Sequence, residues 1–296
     1  MPWLQLKLDT TPEQAEQASE LLSELGAAAV TFEDAKDQPI FEPDPGETRL
    51  WGSTRVIGLF ETDADMVLIT TLLQQRLGSD ALHHLHIDPL EDKDWERAWM
   101  ENFKPIRCGE RLWICPSWHT PTEANSVNVI LDPGLAFGTG THPTTWLCLK
   151  WLDANPPIAK TVIDFGSGSG ILAVAAALLG ATHVTAVDHD PQAILATHDN
   201  AKKNQVDNRI EAYLPKPFQN RPTCEPVDLM LANILANPLI ELAPQLAALV
   251  KPGGQIVLSG ILIEQAEAVS ERYQHWFEMA PMTTQEEWVR LDGIRR

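Results

Sequence analysis

The 296-residue chain has few cysteines and no long apolar run. Its four cysteines, Cys108, Cys115, Cys148 and Cys224, are widely spaced and match neither a disulfide framework nor a CxxC metal pattern, so free thiols in a reducing compartment are expected. The longest apolar run, residues 171–179, is far too short to cross a bilayer, and the first residues lack the basic and apolar regions of a secretory signal. We therefore expect a cytoplasmic protein that makes no use of a membrane.

Basic residues are also scarce, since 22 Lys and Arg face 41 Asp and Glu, for a formal net charge of −19. This deficit argues against direct binding to nucleic acid, because phosphate contacts need clustered basic side chains. Residues 1–100 hold 20 acidic and 7 basic residues, whereas residues 101–296 hold 21 and 15. The first third of the chain thus carries about two thirds of the negative excess, which indicates either a solvated surface or one that attracts a basic partner.

Hydrophobic periodicity divides the first hundred residues into two similar halves. Alternating apolar residues predict strands, and apolar residues at helical spacing predict helices, the first of which starts with the capping-box pattern Thr11-Pro12-Glu13-Gln14. The predicted elements are strands at 3–8, 29–32, 55–60 and 82–87 and helices at 12–25 and 63–77. The order β-α-β-β-α-β is the plan of a ferredoxin-like domain. No nucleophile is paired with a base in this region, which favours a binding module.

From residue 161 onward, strand and helix signals alternate. The predicted strands are 161–165, 182–187, 227–232 and 255–258, and the predicted helices are 171–179, 191–204, 238–250 and 264–276. This rhythm predicts a parallel, doubly wound sheet, which places ligands at the carboxyl ends of its strands. The predicted fold class is therefore α/β, with a ferredoxin-like α+β domain at 1–92, a connecting segment at 93–125 and a doubly wound Rossmann-like domain at 126–296.

The strongest motif joins the apolar strand 162–165 to Gly166-Ser167-Gly168-Ser169-Gly170. Glycines allow a tight turn and the close approach of a ligand, and the following helix start presents unpaired N–H groups. A dinucleotide fingerprint would need glycine at position 171, which is Ile171. The G-x-G-x-G spacing, opened by Asp164, resembles motif I of Rossmann-like S-adenosylmethionine methyltransferases. Taken alone, the motif is also compatible with a turn that binds no ligand.

Two polar residues end further predicted strands. Asp188, 22 residues after Gly166, is placed to accept the ribose hydroxyls of an adenosine cofactor, in NAD enzymes and methyltransferases alike. Asp190, before Pro191, is predicted to be only a helix N-cap. Asn233 stands where methyltransferases that modify amine or amide nitrogens often begin an Asn-Pro-Pro-aromatic motif, of which this chain keeps only the Asn. A turn or cap role is the alternative for Asn233.

A glycine- and threonine-rich segment precedes these motifs and reads Phe-Gly-Thr-Gly-Thr-His-Pro-Thr-Thr at 137–145. It predicts a loop that closes on a ligand, without the lysine of a P-loop. Together with Asp-Phe-Gly-x-Gly-Ser-Gly at 164–170 and Ala-Asn-Ile-Leu at 232–235, it resembles the bacterial ribosomal protein L11 methyltransferase family. The resemblance covers essentially the whole chain, including 45–52 and 91–96.

This resemblance implies an N-terminal substrate-recognition domain, a linker and a methyltransferase domain. It implies S-adenosylmethionine as cofactor, and methylation of lysine side chains and the N-terminal amine of ribosomal protein L11. The implied cofactor-binding residues are Thr145, Gly166, Gly168, Asp188 and Asn233, with Asn233 also a candidate to orient the acceptor amine. No metal is implied. Ser167 occupies a position where close relatives often have Cys, and no loss is expected because both are small.

Histidines offer weaker signals. His83, His84 and His86 suggest a metal site, but strand alternation places His83 on the opposite face, which favours surface histidines. His142 is a candidate base, or a residue that orders its loop. Two alternatives for the whole chain stay open: a nicotinamide oxidoreductase, and a non-catalytic scaffold that senses S-adenosylmethionine.

Overall fold

The computed structural model describes residues 3–36, 50–78, 85–90, 104–119, 126–132, 140–219 and 225–296. The chain divides into two units, Met1–Met100 and Glu101–Arg296. Residues 104–119, which the sequence analysis assigned to the connecting segment, belong to the second unit. They do so because the strand Leu112–Cys115 pairs with the strand Val127–Ile130 and buries three of its side chains there. None of the described helices has the length and apolar character needed to cross a membrane.

The first unit contains the predicted β-α-β-β-α-β series. Its elements are β1 (Trp3–Thr10), α1 (Pro12–Glu24), β2 (Ala29–Asp34), β3 (Thr54–Glu61), α2 (Met66–Leu77) and β4 (Leu85–Leu90). The four strands form an antiparallel sheet in the order β2-β3-β1-β4. Because strand side chains alternate between faces, Leu6 and Leu8 point to one face, where they join the buried stripe of α1 in a single apolar core.

The start of α1 differs from the sequence prediction. Thr11 is the N-cap and Pro12 begins the helix, but the Thr11 side chain makes no capping hydrogen bond. The expected capping-box partner, Gln14, instead accepts a hydrogen bond from the Thr10 hydroxyl at 3.0 Å. The predicted capping box is therefore wrong, because a neighbouring hydroxyl takes the side chain that would close it.

The second unit begins with a small sheet, β5 (Ile106–Arg107), β6 (Leu112–Cys115) and β7 (Val127–Ile130). The large sheet follows, built from β8 (Thr161–Phe165), β9 (His183–Val187), β10 (Ile210–Tyr213), β11 (Val227–Asn233), β12 (Val250–Leu262), β13 (Phe277–Met279), β14 (Thr283–Gln285) and β15 (Trp288–Arg295). The helices are α3 (Pro143–Ala154), α4 (Ile171–Leu178), α5 (Pro191–Lys203), α6 (Pro215–Gln219), α7 (Ala236–Ala248) and α8 (Ala266–Tyr273).

The large sheet has the strand order β10-β9-β8-β11-β12-β15-β13, with β14 paired to β15. The strands from β10 to β12 pair in parallel, whereas β13, β14 and β15 are antiparallel. The chain builds outward from β8 to β10 and then crosses back to place β11 on the other side of β8. This reversal is a topological switch point, where doubly wound sheets bind ligands at the carboxyl ends of the strands. The predicted α/β class is confirmed.

Two apolar cores cover the two faces of this sheet. Alternation along each strand divides the side chains between them: Val162 and Leu231 enter one core, whereas Ile163 and Met230 enter the other. The first core includes residues of α3, α4 and α5, and the second includes residues of α7 and α8. A sheet buried on both faces holds its strand ends in fixed positions, so the loops at the switch point have a rigid base.

Candidate cofactor and acceptor site

Three predicted site residues come together at the switch point. Gly166 follows β8, Asp188 follows β9 and Asn233 is the last residue of β11. Because these strands are parallel neighbours, their carboxyl ends open to the same edge of the sheet. The tertiary structure therefore gathers residues that lie up to 67 positions apart at one edge of the sheet, as the parallel-sheet prediction required.

The loop after β8 depends on its glycines. Gly166 has a φ of 77° and Gly170 a φ of 76°, in the left-handed region that side chains disfavour. A Cβ atom at Gly166 would clash with the side chain of Ile234, and one at Gly170 would come within 2.9 Å of the Thr197 backbone. The loop is fastened to β9 by the Gly166 N–H, which donates to the Val187 carbonyl at 2.7 Å. Small residues are thus required both for the turn and for the space around it.

Asp188 ties the glycine loop to the end of β9. Its Oδ2 accepts from the Gly168 N–H at 2.8 Å, and its Oδ1 accepts from the Asp190 N–H at 3.0 Å. A carboxylate offers about four acceptor positions, so two remain beyond these hydrogen bonds. The exposed His189 side chain places its Nδ1 3.4 Å from Oδ1, close enough to form an ion pair when it is protonated. Two acceptor positions on one buried carboxylate are what the vicinal hydroxyls of a ribose would use. Asp190 caps α5 through the Gln192 N–H, which confirms its predicted cap role.

Helix α5 supports the glycine loop from behind. The Asn200 amide donates to the Ser169 carbonyl at 2.8 Å, and the Thr197 hydroxyl donates to the Gly168 carbonyl at 3.3 Å. Sequence analysis missed both residues. The available signal was their separation of three positions, which places two polar side chains on the same helix face as the buried Ala193 and Ala201.

Asp164, the acidic residue that opens the motif, is fully buried under the loop. Burial raises its pKa to about 7, the bond that its Oδ2 accepts from the Ala173 N–H at 2.9 Å opposes this shift, and the nearby Asp188 adds to it. Its Oδ1 has no hydrogen-bond partner among the described residues. Asp164 therefore sits at the base of the site as a carboxyl group that is largely protonated below neutral pH.

Asn233 contacts the first turn of α3. Its Nδ2 donates to the Thr145 Oγ1 at 3.2 Å across 88 positions of sequence. Thr145 is fully buried, whereas Asn233 is half-buried. Two of the predicted site residues are thus bonded directly to one another, a contact that their separate motifs did not predict.

His142 is the N-cap of α3. Its Nδ1 lies 2.8 Å from the Thr144 Oγ1 and accepts from the Thr144 N–H at 3.4 Å, and its ring packs edge-on against Trp288 at 4.9 Å. Burial lowers the pKa of His142, an effect that Glu286 and Glu287 oppose. An Nδ1 that accepts the Thr144 N–H places the hydrogen of the neutral ring on Nε2, which then acts as a donor. The geometry favours the loop-ordering role over that of a base.

Some predicted features lie elsewhere. Most of the glycine- and threonine-rich loop, residues 133–139, falls outside the described residues, as do His83, His84 and Cys224. His86 is exposed on β4. Within the described part of the chain, the cysteines are free and buried, and no three His, Cys, Asp or Glu side chains are grouped to hold a metal ion.

Known proteins resemble the chain over its whole length. Residues 2–296 match the model of a family described as Ribosomal protein L11 methyltransferase (PrmA). Relatives named ribosomal protein L11 methyltransferase from Salmonella arizonae and Salmonella typhimurium are each 55% identical over 298 residues and cover 100% of both chains. A crystal structure titled ribosomal protein L11 methylase, from Lactobacillus delbrueckii subsp. bulgaricus, is 32% identical with a TM-score of 0.58. It covers 66% of this chain and 100% of that chain.

Proposed function

The chain belongs to the ribosomal protein L11 methyltransferase family, and from this premise we propose that it transfers methyl groups from S-adenosylmethionine to amines of ribosomal protein L11. The proposed acceptors are lysine side chains and the N-terminal amine. The observation that carries the proposal is that the glycine loop, the Asp188 carboxylate and the Asn233 carboxamide meet at one switch point. The carboxylate has acceptor positions for the hydroxyls of a ribose.

The residues present fit the cofactor. Asp188 keeps two acceptor positions for the ribose hydroxyls, and the loop Gly166–Gly170 lets the backbone approach a ligand closely. Gly168 holds the Asp188 carboxylate in place through its N–H. Thr145 joins the site through the hydrogen bond that it accepts from Asn233. When bound, S-adenosylmethionine supplies a methyl group that its sulfonium already activates. No covalent nucleophile is therefore needed from the chain.

The acceptor amine must lose its proton before it can attack. A lysine ammonium has an unperturbed pKa of about 10.4, and removal from water favours its neutral form. In the proposed site, the Asn233 carboxamide oxygen accepts an N–H of the amine and so directs the nitrogen lone pair. The chain then contributes chiefly alignment and exclusion of water, which are large terms in reactions between two bound groups.

The two units divide the work in this proposal. The first unit, with a net charge of −13 over residues 1–100, captures the basic substrate, and the second unit methylates it. The described surface of the first unit supports this role, since Glu61, Asp63 and Asp65 lie exposed in succession where β3 passes into α2. We infer a cytoplasmic site of action, because the proposed substrate is a ribosomal protein and the described thiols are free.

The test is transfer of tritium from methyl-labelled S-adenosylmethionine to purified ribosomal protein L11. We expect label in L11, partly retained when its N-terminal amine is blocked, and lost when its lysines are also acetylated beforehand. Cofactor binding without transfer would support the sensor alternative, and reduction of a substrate with NAD(P)H would support the oxidoreductase. Either outcome would overturn the proposal.

A further inference from the structure

The side chain of Thr145 is fully buried, and the glycine- and threonine-rich motif does not explain this burial. Thr145 lies in the first turn of α3 with no exposed surface, yet it carries a hydroxyl, which is costly to bury without a partner. Its partner is the Asn233 Nδ2, which donates to the Thr145 Oγ1 at 3.2 Å. The bond is therefore an obligatory feature of the packed site rather than an incidental surface contact.

The backbones of both residues are held independently of this bond. Asn233 is fixed by the pairing of β11, where it stands opposite Ser259 of β12. Thr145 is fixed by α3, whose first turn is capped by His142, and the His142 ring in turn packs on Trp288. With both backbones fixed, the bond controls the rotation of the Asn233 side chain about its two torsions, χ1 and χ2.

The orientation of the carboxamide decides what it can do for the reaction. A carboxamide presents a donor on one side and an acceptor on the other. When Nδ2 is bound to Thr145, Oδ1 is left over, and among the described residues it has no hydrogen-bond partner. An acceptor amine needs an oxygen that accepts its N–H. The opposite orientation would present an N–H group, which would donate to the amine lone pair and so occupy the electrons needed for attack.

We propose that Thr145 is a positioning residue of the methyl transfer, which acts through Asn233 by holding the carboxamide oxygen toward the acceptor amine. This proposal deepens the proposed function and rests on it. It assigns Thr145 a part in acceptor alignment in addition to any contact with the cofactor. The two contributions separate experimentally, because alignment by Thr145 acts through Asn233, whereas a direct contact of Thr145 with the cofactor would persist without Asn233.

The central experiment is a double-mutant cycle on the full chain with Thr145→Val, Asn233→Ala and the double variant. Valine keeps the shape of threonine and removes the hydroxyl. We expect Thr145→Val to lower kcat by about 10- to 100-fold with a much smaller change in KM for L11, since misplacement of reacting groups acts on turnover. In the Asn233→Ala background, the same substitution should lower kcat by less than about 2-fold.

Two further variants separate positioning from a merely structural role. Thr145→Ser keeps the hydroxyl and should restore most of kcat. Thr144→Val removes a neighbouring buried hydroxyl of the same turn, which contacts His142 instead of Asn233. Its effect on kcat should be the same with Asn233 or Ala at position 233. Equal losses of kcat for Thr145→Val in both backgrounds, or no rescue by serine, would overturn the proposal.

A readout that needs no turnover distinguishes failure of this inference from failure of the proposed function. In a sample labelled with ¹⁵N, the side-chain NH₂ of Asn233, assigned by its loss in Asn233→Ala, should shift and exchange faster with water in Thr145→Val. It should stay close to wild type in Thr145→Ser. An unchanged resonance in Thr145→Val refutes the positioning role whatever the activity. A shifted resonance in a protein that does not methylate L11 would instead refute the proposed function.

Discussion

Replacement of Asp188 by alanine should separate cofactor binding from folding. The carboxylate accepts two hydrogen bonds within the protein, from the Gly168 and Asp190 N–H groups, and lies 3.4 Å from the exposed His189 Nδ1. Two further acceptor positions are left for a ribose. Alanine removes both functions. We expect the protein to fold, to bind S-adenosylmethionine more weakly and to lose part of its stability, because the glycine loop is no longer tied to the end of β9.

The expected magnitudes follow from charge-assisted hydrogen bonds. Loss of such a contact removes about 1.5–3 kcal/mol, which corresponds to a roughly 10- to 150-fold higher Kd. The free energy of unfolding should fall by about 2 kcal/mol, since the two released N–H groups lie at a partly exposed edge and regain water. Titration calorimetry measures the first quantity, and urea denaturation followed by circular dichroism measures the second.

Asp190→Ala provides the matched control two positions away. Asp190 caps α5 with its side chain and contributes only its backbone N–H to Asp188, so this variant should lose about 1 kcal/mol of stability and no cofactor affinity. If Asp188→Ala lowered stability but left the Kd unchanged, the carboxylate would serve the loop alone. The assignment of Asp188 to the ribose would then be wrong.

Four other outcomes are expected. Asn233→Ala should reduce turnover more than cofactor affinity, because alignment of the amine matters most in the transition state, and equal losses would reassign it to cofactor binding. Asp164→Asn should remove a pH dependence of the free energy of unfolding. The pKa of Asp164 is about 7 in the folded protein and 3.8 ordinarily, so as the pH rises the unfolded chain loses the carboxyl proton before the folded protein does. Wild-type stability should therefore fall by up to about 1.4 kcal/mol per pH unit between pH 4 and 7, and a variant with the same slope would contradict this. Gly166→Ala should weaken cofactor binding and cost more than about 1–2 kcal/mol of stability, because the left-handed φ alone costs that much and the new Cβ would clash with Ile234, as checked by calorimetry and urea denaturation. Deletion of residues 1–90 should leave cofactor binding nearly intact and abolish methylation of L11. Capture by the full chain should weaken with salt, as charges are screened over about 8 Å, and full-rate methylation by the truncated protein would refute the capture role.

The sequence by itself determined the local elements and the chemistry of the separate motifs. Apolar alternation and helical spacing are local properties, so strands such as β8 and helices such as α5 were predictable within a few residues. The glycines at 166, 168 and 170 and the acid at 188 were identifiable for the same reason. Their roles depend on a strand followed by a turn, which a short stretch of sequence specifies. The resemblance of several such motifs together indicated the family.

Antiparallel strands at the sheet edge were beyond that reasoning. The sequence analysis did not predict β13, β14 and β15, because two of them have only three residues each and the periodicity of so short a segment carries little information. Their order beside β12 depends on pairing between distant segments. The turn that carries Glu286 and Trp288 to His142 therefore emerged only in three dimensions.

The tertiary structure also decided which polar groups bind one another. Asp188 could be assigned to a ribose from its strand, but only packing showed that Gly168 and Asp190 hold it in place. The bond from Asn233 to Thr145 crosses 88 positions and depends on the docking of α3 beside the end of β11. Hydrogen-bond partners are set by distances of about 3 Å between side chains on different elements, whereas sequence patterns specify only which elements form.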